Sequence, residues 1–336
     1  MTPMLLKQLM QRNELDMQQM QGFTELLLSE TAAVEDKVAL LTAFTMKGET
    51  SNELYSLSHK LIHMMYPEQP YLPESLCVCG TGGDGSNSFN ISTTVAFVVA
   101  AAGATVIKHG NKSVTSRSGS IDILQALEVP TTLVVDVERQ VADTHLAFLS
   151  AAETYPIMRH IQPIRRYLPV PTIFNIVGPI INPFKLDYQV MGVYDESKMS
   201  TVAQTLLQLG RKRALVVHGA QGMDEATLSG DNIIMEVDCN HGIHAYTLNA
   251  QDVGLRYADD EALIGGTPEE NKRITLSILK GEDRSCRRDV ILLNAGLALY
   301  AAQRVNTIAE GVKKAEETID SGAAYQQYEQ SKGVNV

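Results

Sequence analysis

Cysteine is scarce in this chain: among 336 residues there are four, Cys77, Cys79, Cys239 and Cys286. They are too few and too unevenly spaced for the disulfide framework that staples small secreted domains, and a reducing compartment suits them. Cys77 and Cys79 form a C-x-C inside an apolar run, but no second ligand pair follows, so they read as buried neighbours on one face of a strand and not as zinc ligands. Basic residues are also in deficit. Lys and Arg number 28 against 39 Asp and Glu, a formal net charge of −11. That field repels polyanions and argues against general binding to nucleic acid or an anionic membrane, while leaving room for a small phosphorylated ligand in a local pocket of donors. Long hydrophobic runs are missing too. The longest, Val95 to Ile107, is too short and too rich in Ala and Gly to cross a bilayer, and the N-terminus has no signal-peptide core, so a cytoplasmic protein is expected. No internal repeat or low-complexity segment is visible.

What is present is ordinary globular material, 44% hydrophobic and 20% charged, enough for a sizeable core. At this length two unequal domains are expected. The first, residues 1–66, is all-helical: Leu54, Leu57, Leu61 and Met64 recur at the +3, +4, +3 spacing of one helix face. Pro67, Pro70 and Pro73 then break any helix and mark a linker. Residues 67–336 form the second domain. Short apolar runs at Leu76–Cys79, Thr105–Ile107, Thr132–Val135, Gln189–Val193 and Ala214–Val217 alternate with helical stretches, the pattern of an α/β unit whose mostly parallel central sheet is flanked by helices. Val202, Leu206 and Leu209 mark one covering helix. The runs Ile233–Val237 and His244–Leu248, joined through Asn240–Gly242, predict an antiparallel hairpin. From Thr267 onward the chain reads as helical. Pro163, Pro169, Pro171, Pro179 and Pro183 make the stretch around 163–183 an irregular, ligand-facing segment returning to the helical domain.

The most informative segment is Gly80-Thr81-Gly82-Gly83-Asp84-Gly85, which follows a predicted strand and leads to a helix near Ser92. Glycines there let backbone N–H groups approach an anion, and Ser92 or Thr93 is a suitable N-cap at a dipole end that favours phosphate. A tight turn with no ligand is the plain alternative. Gly80, Gly82 and Gly85 also satisfy the dinucleotide fingerprint. However, five residues separate Gly85 from the helix, and the next strand ends in Lys108-His109-Gly110-Asn111 instead of an acid for a ribose hydroxyl, which demotes a Rossmann enzyme and leaves an NADP-binding one open. Ser86 stands where a P-loop would carry lysine. Lys108, His109 and Asn111 fall at the carboxyl end of a parallel strand, where open α/β sheets bind ligands, although a His there is often only a hydrogen-bonded neighbour. Ser116–Ser120 offers a second hydroxyl-rich turn before a helix near Ile121. The adjacent acids Asp224 and Glu225 sit in a Gly-flanked loop. They repel by about 1–4 kcal/mol at ~4 Å in wet surroundings, a repulsion that Mg²⁺ between them and a pyrophosphate would reverse; a solvated acidic loop is the alternative.

The run GTGGDGSNSFNISTTVAFVVAAAGATVIKHGNKSVTSRSGSIDILQALEV resembles the phosphoribosyl-pyrophosphate segment of the anthranilate phosphoribosyltransferases, and MRHIQPIRR with PTIFNIVGPIINP resembles that family's second signature. The likeness continues through ALVVHGAQGMDEATLSG and RRDVILLNAGLALY, and so covers nearly the whole chain. It implies a nucleoside-phosphorylase-like, class III phosphoribosyltransferase architecture with a smaller all-α domain, a homodimer through that domain, and transfer of phosphoribose from phosphoribosyl pyrophosphate to anthranilate in tryptophan biosynthesis. By resemblance the donor falls to Gly80, Thr81, Gly82, Gly83, Asp84, Asn90, Ser92, Thr93, Lys108 and Ser120. Anthranilate falls to Gly80, His109, Asn111 and Arg165, with Lys108 and Arg165 as catalytic residues. Mg²⁺ falls to Ser92, Asp224 and Glu225. An arginine suits the acceptor's carboxylate because its planar fork pairs bidentately. The chain departs from the family where His-Pro-Ala-Met is common and it has Tyr155-Pro156-Ile157-Met158, where an Ala-Pro pair becomes Ala151-Ala152, and where Pro171 replaces a common Arg. Two other readings stay open: a pyrimidine nucleoside phosphorylase, which the family resembles in fold, and a non-catalytic phosphate- or nucleotide-binding regulator.

Overall fold

The computed structural model describes residues 2–112 and 117–333. Four helices open the chain: Thr2–Met10, Met17–Leu28, Val34–Lys47 and Ser51–Met65. Two begin with reciprocal caps, Asp16 with Gln19 and Thr50 with Glu53, each satisfying N–H groups that a helix start leaves without partners. Leu54, Leu57 and Leu61 face the core as their spacing predicts, whereas Met64 is exposed. Glu53 does more than cap. Fully buried, it accepts hydrogen bonds from Leu15 N (2.8 Å) and Thr50 N (2.9 Å) and pairs with Lys47 at 2.6 Å. The helix ends are thereby tied to one carboxylate.

Among the described residues seven strands follow: β1 Ser75–Gly80, β2 Thr105–Gly110, β3 Leu146–Ser150, β4 Tyr188–Gly192, β5 Arg213–His218, β6 Asn232–Asp238 and β7 Gly242–Leu248. They form one sheet in the order β3-β2-β1-β4-β5-β6-β7, parallel through β5 and antiparallel for the β6–β7 hairpin. Helices cover both faces. Alternate residues of each strand belong to opposite cores: Leu76, Val78, Val106, Leu215 and Val217 meet helices Ile91–Ala101 and Cys286–Ala301, while Cys77, Cys79, Ile107, Ala214 and Val216 meet the N-terminal helices and Met199–Gln208. Cys77 and Cys79 do share a face, as the period of two requires. The second core also takes in Ile161, Ile164, Ile173, Phe174 and Val177, so the proline-rich segment packs between the sheet and the opening helices. No helix among the described residues is long and apolar enough to cross a membrane.

Two sequence expectations need correction. Thr132–Val135 is not a strand. Leu133 and Val135 are exposed, and the run turns into a short 3-10 helix and then helix Val137–Thr144. The sheet's edge is instead β3, hidden in a stretch that reads as helical; His145, in the left-handed region at φ 56°, closes the preceding helix and starts it. The run touches β3 once, Thr132 N donating to Phe148 O at 2.7 Å, and then turns into helix, so apolar β-branched residues are not enough for a strand without a continuing ladder. The stretch 163–183 is also less irregular than its prolines suggest, because Ile173–Ile180 is a helix whose start is held by Asn175 Oδ1 accepting from Thr172 N at 3.1 Å and which holds Pro179 in its last turn.

Replacing Glu53 by Ala would strand the buried Lys47 ammonium and two N–H groups. A loss of about 3–5 kcal/mol is expected, with the urea midpoint falling accordingly. A loss under about 1 kcal/mol, the range of a surface ion pair, would show that this hub carries little of the fold.

Candidate active site

The chain builds outward from β1 through β2 and β3 on one side and from β4 through β5 on the other, so strand order reverses between β1 and β4. Such a reversal leaves a crevice beyond the carboxyl ends of the strands. Here it is a cleft of about 450 Å³. Gly80 ends β1 and Gly192 ends β4, directly opposite in register. The segment after β5 crosses this junction: a Cβ on Gly192 would overlap the Asp224 carbonyl, and one on Gly80 would overlap its carboxylate. Residue 192 therefore excludes any side chain, and one at residue 80 would have to displace the Asp224 carboxylate. The loop beyond is fastened to the same segment, since Gly82 N donates to Asp224 Oδ2 at 2.6 Å and Thr81 N to Gly192 O at 3.0 Å. Gly82, Gly83 and Gly85 all have positive φ, which turns successive N–H groups along the cleft wall.

Three carboxylates meet here. Burial, then the charges of Glu225 and Asp84, holds the Asp224 carboxyl well above the usual carboxylate range. Glu225 is pushed up to about 7 by burial, against the pull of Lys108 and of hydrogen bonds from Ser92. Asp84 Oδ2 is buried without a partner, while its Oδ1 accepts from Ser86 N at 3.1 Å. Lys108, itself buried, is held by Val78 O (2.6 Å) and Ser92 Oγ (3.1 Å). One lysine against three acids leaves the corner short of positive charge. Among the described residues no three His, Cys, Asp or Glu side chains converge enough to hold an ion alone. The donor set therefore fits a divalent cation that takes its remaining oxygens from a bound phosphate and water, as Mg²⁺ commonly does.

Helix Ile91–Ala101 starts one residue earlier than expected, and neither Ser92 nor Thr93 caps it. Asn90 holds the cap position and its carbonyl accepts from Thr94 N at 3.0 Å, but its side chain makes no cap bond because it is engaged elsewhere. Ser92 faces the cleft from the first turn, whereas Thr93 lies in the core with an unpartnered hydroxyl and outside the wall. Gly119 and Ser120 line the cleft at the start of helix Ser120–Ala126; Ser116, part of the expected second turn, lies outside the described residues.

The opposite wall carries His109, Asn111 and Arg165. His109 is buried and its Nε2 lies 2.8 Å from Thr154 Oγ1. Burial pushes its pKa down to about 4, although the carbonyls of Gly178 and Ile181 pull it upward, so the ring is neutral near pH 7. Arg165, half-buried, donates from Nη2 to Asn175 Oδ1 at 2.9 Å. Tyr155, one of the departures from the family pattern, is not in the wall. It is 1% exposed and packs edge-on between Tyr66 and His109, at 5.6 Å from each. Sequence reasoning missed Phe174, Asn175, Gly178 and Pro179, which complete this wall. The Thr172-x-x-Asn175 spacing, a capping signature, was the signal available for them.

Residues 73–325 match the model of a glycosyl transferase family, a/b domain. The anthranilate phosphoribosyltransferase of Staphylococcus saprophyticus is 58% identical over 97% of this chain and 97% of its own. The chain belongs to the anthranilate phosphoribosyltransferase family. The family member from Staphylococcus haemolyticus is 55% identical over 98% of this chain and 97% of its own. Among solved structures, the anthranilate phosphoribosyltransferase of Thermus thermophilus superposes with a TM-score of 0.89 at 35% identity, covering 98% of each chain. The Saccharomyces cerevisiae enzyme in complex with PRPP and Mg superposes with a TM-score of 0.85 at 25% identity, covering 95% of this chain and 93% of that one.

His109 gives a pH test. Its folded pKa of about 4 lies below its ordinary value of 6.5, so the stability it contributes is full above pH 6.5 and is lost as pH falls toward 4. His109→Gln should flatten the decline in melting temperature across that window. An unchanged slope would assign the acid sensitivity to another group.

Proposed function

We propose that the cleft transfers the phosphoribosyl group of phosphoribosyl pyrophosphate to anthranilate, giving N-(5-phosphoribosyl)anthranilate and pyrophosphate. The observation that carries this reading is the meeting of a glycine loop, an acid pair and a buried lysine where strand order reverses, with an arginine on the facing wall. Membership of the family favours it over a nucleoside phosphorylase or a binding-only regulator.

In this reading the N–H groups of Gly80–Gly83 with Asp84, Asn90, Ser92, Lys108 and Ser120 hold the donor. Thr93, buried outside the wall, takes no direct part. Ser92, Asp224 and Glu225 would hold Mg²⁺, which supplies positive charge against the departing pyrophosphate. Lys108 adds a fixed cation from beneath. As the C–O bond to pyrophosphate lengthens, the ribose gains oxocarbenium character, and the acceptor amine attacks its opposite face. Arg165, kept in place by Asn175, pairs with the acceptor carboxylate; neutral His109, Asn111 and Gly80 line the ring's seat. An aryl amine is already unprotonated at neutral pH, so orientation and charge placement replace a strong base.

The reading extends to the chain's organisation. Residues 1–66 act as a helical domain beside the catalytic one at 67–336, and two copies pair through it to bury Met4, Met10, Met17 and Met46, which are exposed in one chain. Four free cysteines suit a cytoplasmic setting.

Loss of anthranilate fluorescence in the presence of donor tests the reaction directly. Arg165→Ala should weaken acceptor use about 10- to 150-fold, the value of a charge-assisted hydrogen bond, with the donor KM little changed. Arg166, exposed and outside the wall, is the control. Equal effects of the two substitutions would move the acceptor elsewhere. Asp224→Asn with Glu225→Gln should leave a folded protein that needs more magnesium and turns over far more slowly; wild-type turnover at limiting magnesium would remove the metal from this corner.

A further inference from the structure

Asn271 lies in helix Pro268–Leu279, outside every motif read from the sequence, and is 2% exposed. Its Oδ1 accepts from Gly266 N at 2.8 Å, and its Nδ2 donates to Asn90 Oδ1 at 2.9 Å. Asn90 in turn donates from Nδ2 to Ser118 O at 3.0 Å, while its Oδ1 accepts a second bond from Ser118 Oγ at 3.1 Å. The direction of this relay is not free. Gly266 N–H can only donate and Ser118 C=O can only accept, so each amide between them has one orientation that satisfies its neighbours. The same segment grips the end of the glycine loop: Gly265 N donates to Asn87 O (2.8 Å), and Phe89 N to Leu263 O (3.0 Å).

The consequence falls on the cleft. Asn90 and Ser118 both line it, and Asn271 does not. With two bonds on Oδ1 and one from Nδ2, Asn90 keeps a single amide hydrogen for a ligand. If its amide were reversed, a carbonyl oxygen would face the Ser118 carbonyl, and the remaining hydrogen would be lost to the internal relay.

We propose that Asn271 is a positioning residue for the phosphorylated donor. It fixes the orientation of the Asn90 amide and the place of the Ser118 turn, and so links the C-terminal helices to donor binding without touching substrate. The inference rests on the reading of the glycine-loop side as the donor half of the cleft.

Asn271→Asp is nearly isosteric and keeps an acceptor for Gly266 N–H, but sets an oxygen against Asn90 Oδ1. Asn271→Ser removes the relay without adding charge, and serves should the acid prevent folding. Thr275→Val is the control: one turn further along the same helix, Thr275 Oγ1 lies 2.9 Å from Thr94 Oγ1, which donates to the Asn90 main-chain carbonyl at 3.0 Å, so its loss disturbs the same helix packing and leaves the bonds of the Asn90 side chain intact. Steady-state kinetics, titration calorimetry with inorganic pyrophosphate and magnesium, and melting temperature would be measured for each. Either Asn271 variant should raise the donor KM and weaken pyrophosphate binding about ten-fold, while the anthranilate KM stays within about two-fold. Thr275→Val should lower the melting temperature with the donor KM unchanged. The proposal is overturned if the Asn271 variants only lower the melting temperature, or if they raise both KM values alike. A wild-type protein that does not consume anthranilate would sink the functional reading, and the pyrophosphate titrations would still decide the role of Asn271.

Discussion

The structure turns on the passage of Asp224 across the ends of β1 and β4. Its carbonyl lies where a side chain of residue 192 would stand and its carboxylate where one of residue 80 would, and that carboxylate accepts the Gly82 N–H. That contact brings the acidic segment, more than a hundred residues away in sequence, against the glycine loop. Burial there is costly for the acids, as the raised pKa values of Asp224 and Glu225 record. A fold that crowds three carboxylates around one buried lysine has built a corner whose excess negative charge is relieved by protonation or by a bound cation.

The two cores explain how such a corner is held still. Strands β1 to β5 are buried on both faces, and alternate residues divide between them. On one face, helices Ile91–Ala101 and Cys286–Ala301 back the glycine loop. On the other, the opening helices and Ile173–Ile180 back the wall that carries Arg165 and His109. The halves of the cleft thus rest on different sets of helices. An amide steadies each half: buried Asn271, on helix Pro268–Leu279, toward Asn90 on one side, and half-buried Asn175, on Ile173–Ile180, toward Arg165 on the other.

Departures from the family pattern also become intelligible in this frame. Tyr155 stands behind His109, outside the cleft wall. Its ring fills the space between Tyr66 and the imidazole, and the burial that accompanies this packing is what keeps His109 neutral.

Much of the cleft was legible in the sequence because its parts are local. A glycine run after an apolar strand, a Lys-His-Gly-Asn at the end of the next strand and adjacent acids in a turn each carry their chemistry within a few residues, and strand ends in an α/β sheet converge by topology. The alternation of short apolar runs with amphipathic helices likewise determined the sheet's parallel character and the closing hairpin. The tertiary structure decided what depends on distant partners. Leu146–Ser150 became a strand, and Thr132–Val135 did not, because only the former lies beside β2. Asn90 was diverted from capping its helix by Ser118 and Asn271, and Thr93 was turned into the core. A residue's type limits the bonds it can make, but which of them it makes is set by neighbours that the fold, and not the order of the chain, brings within reach.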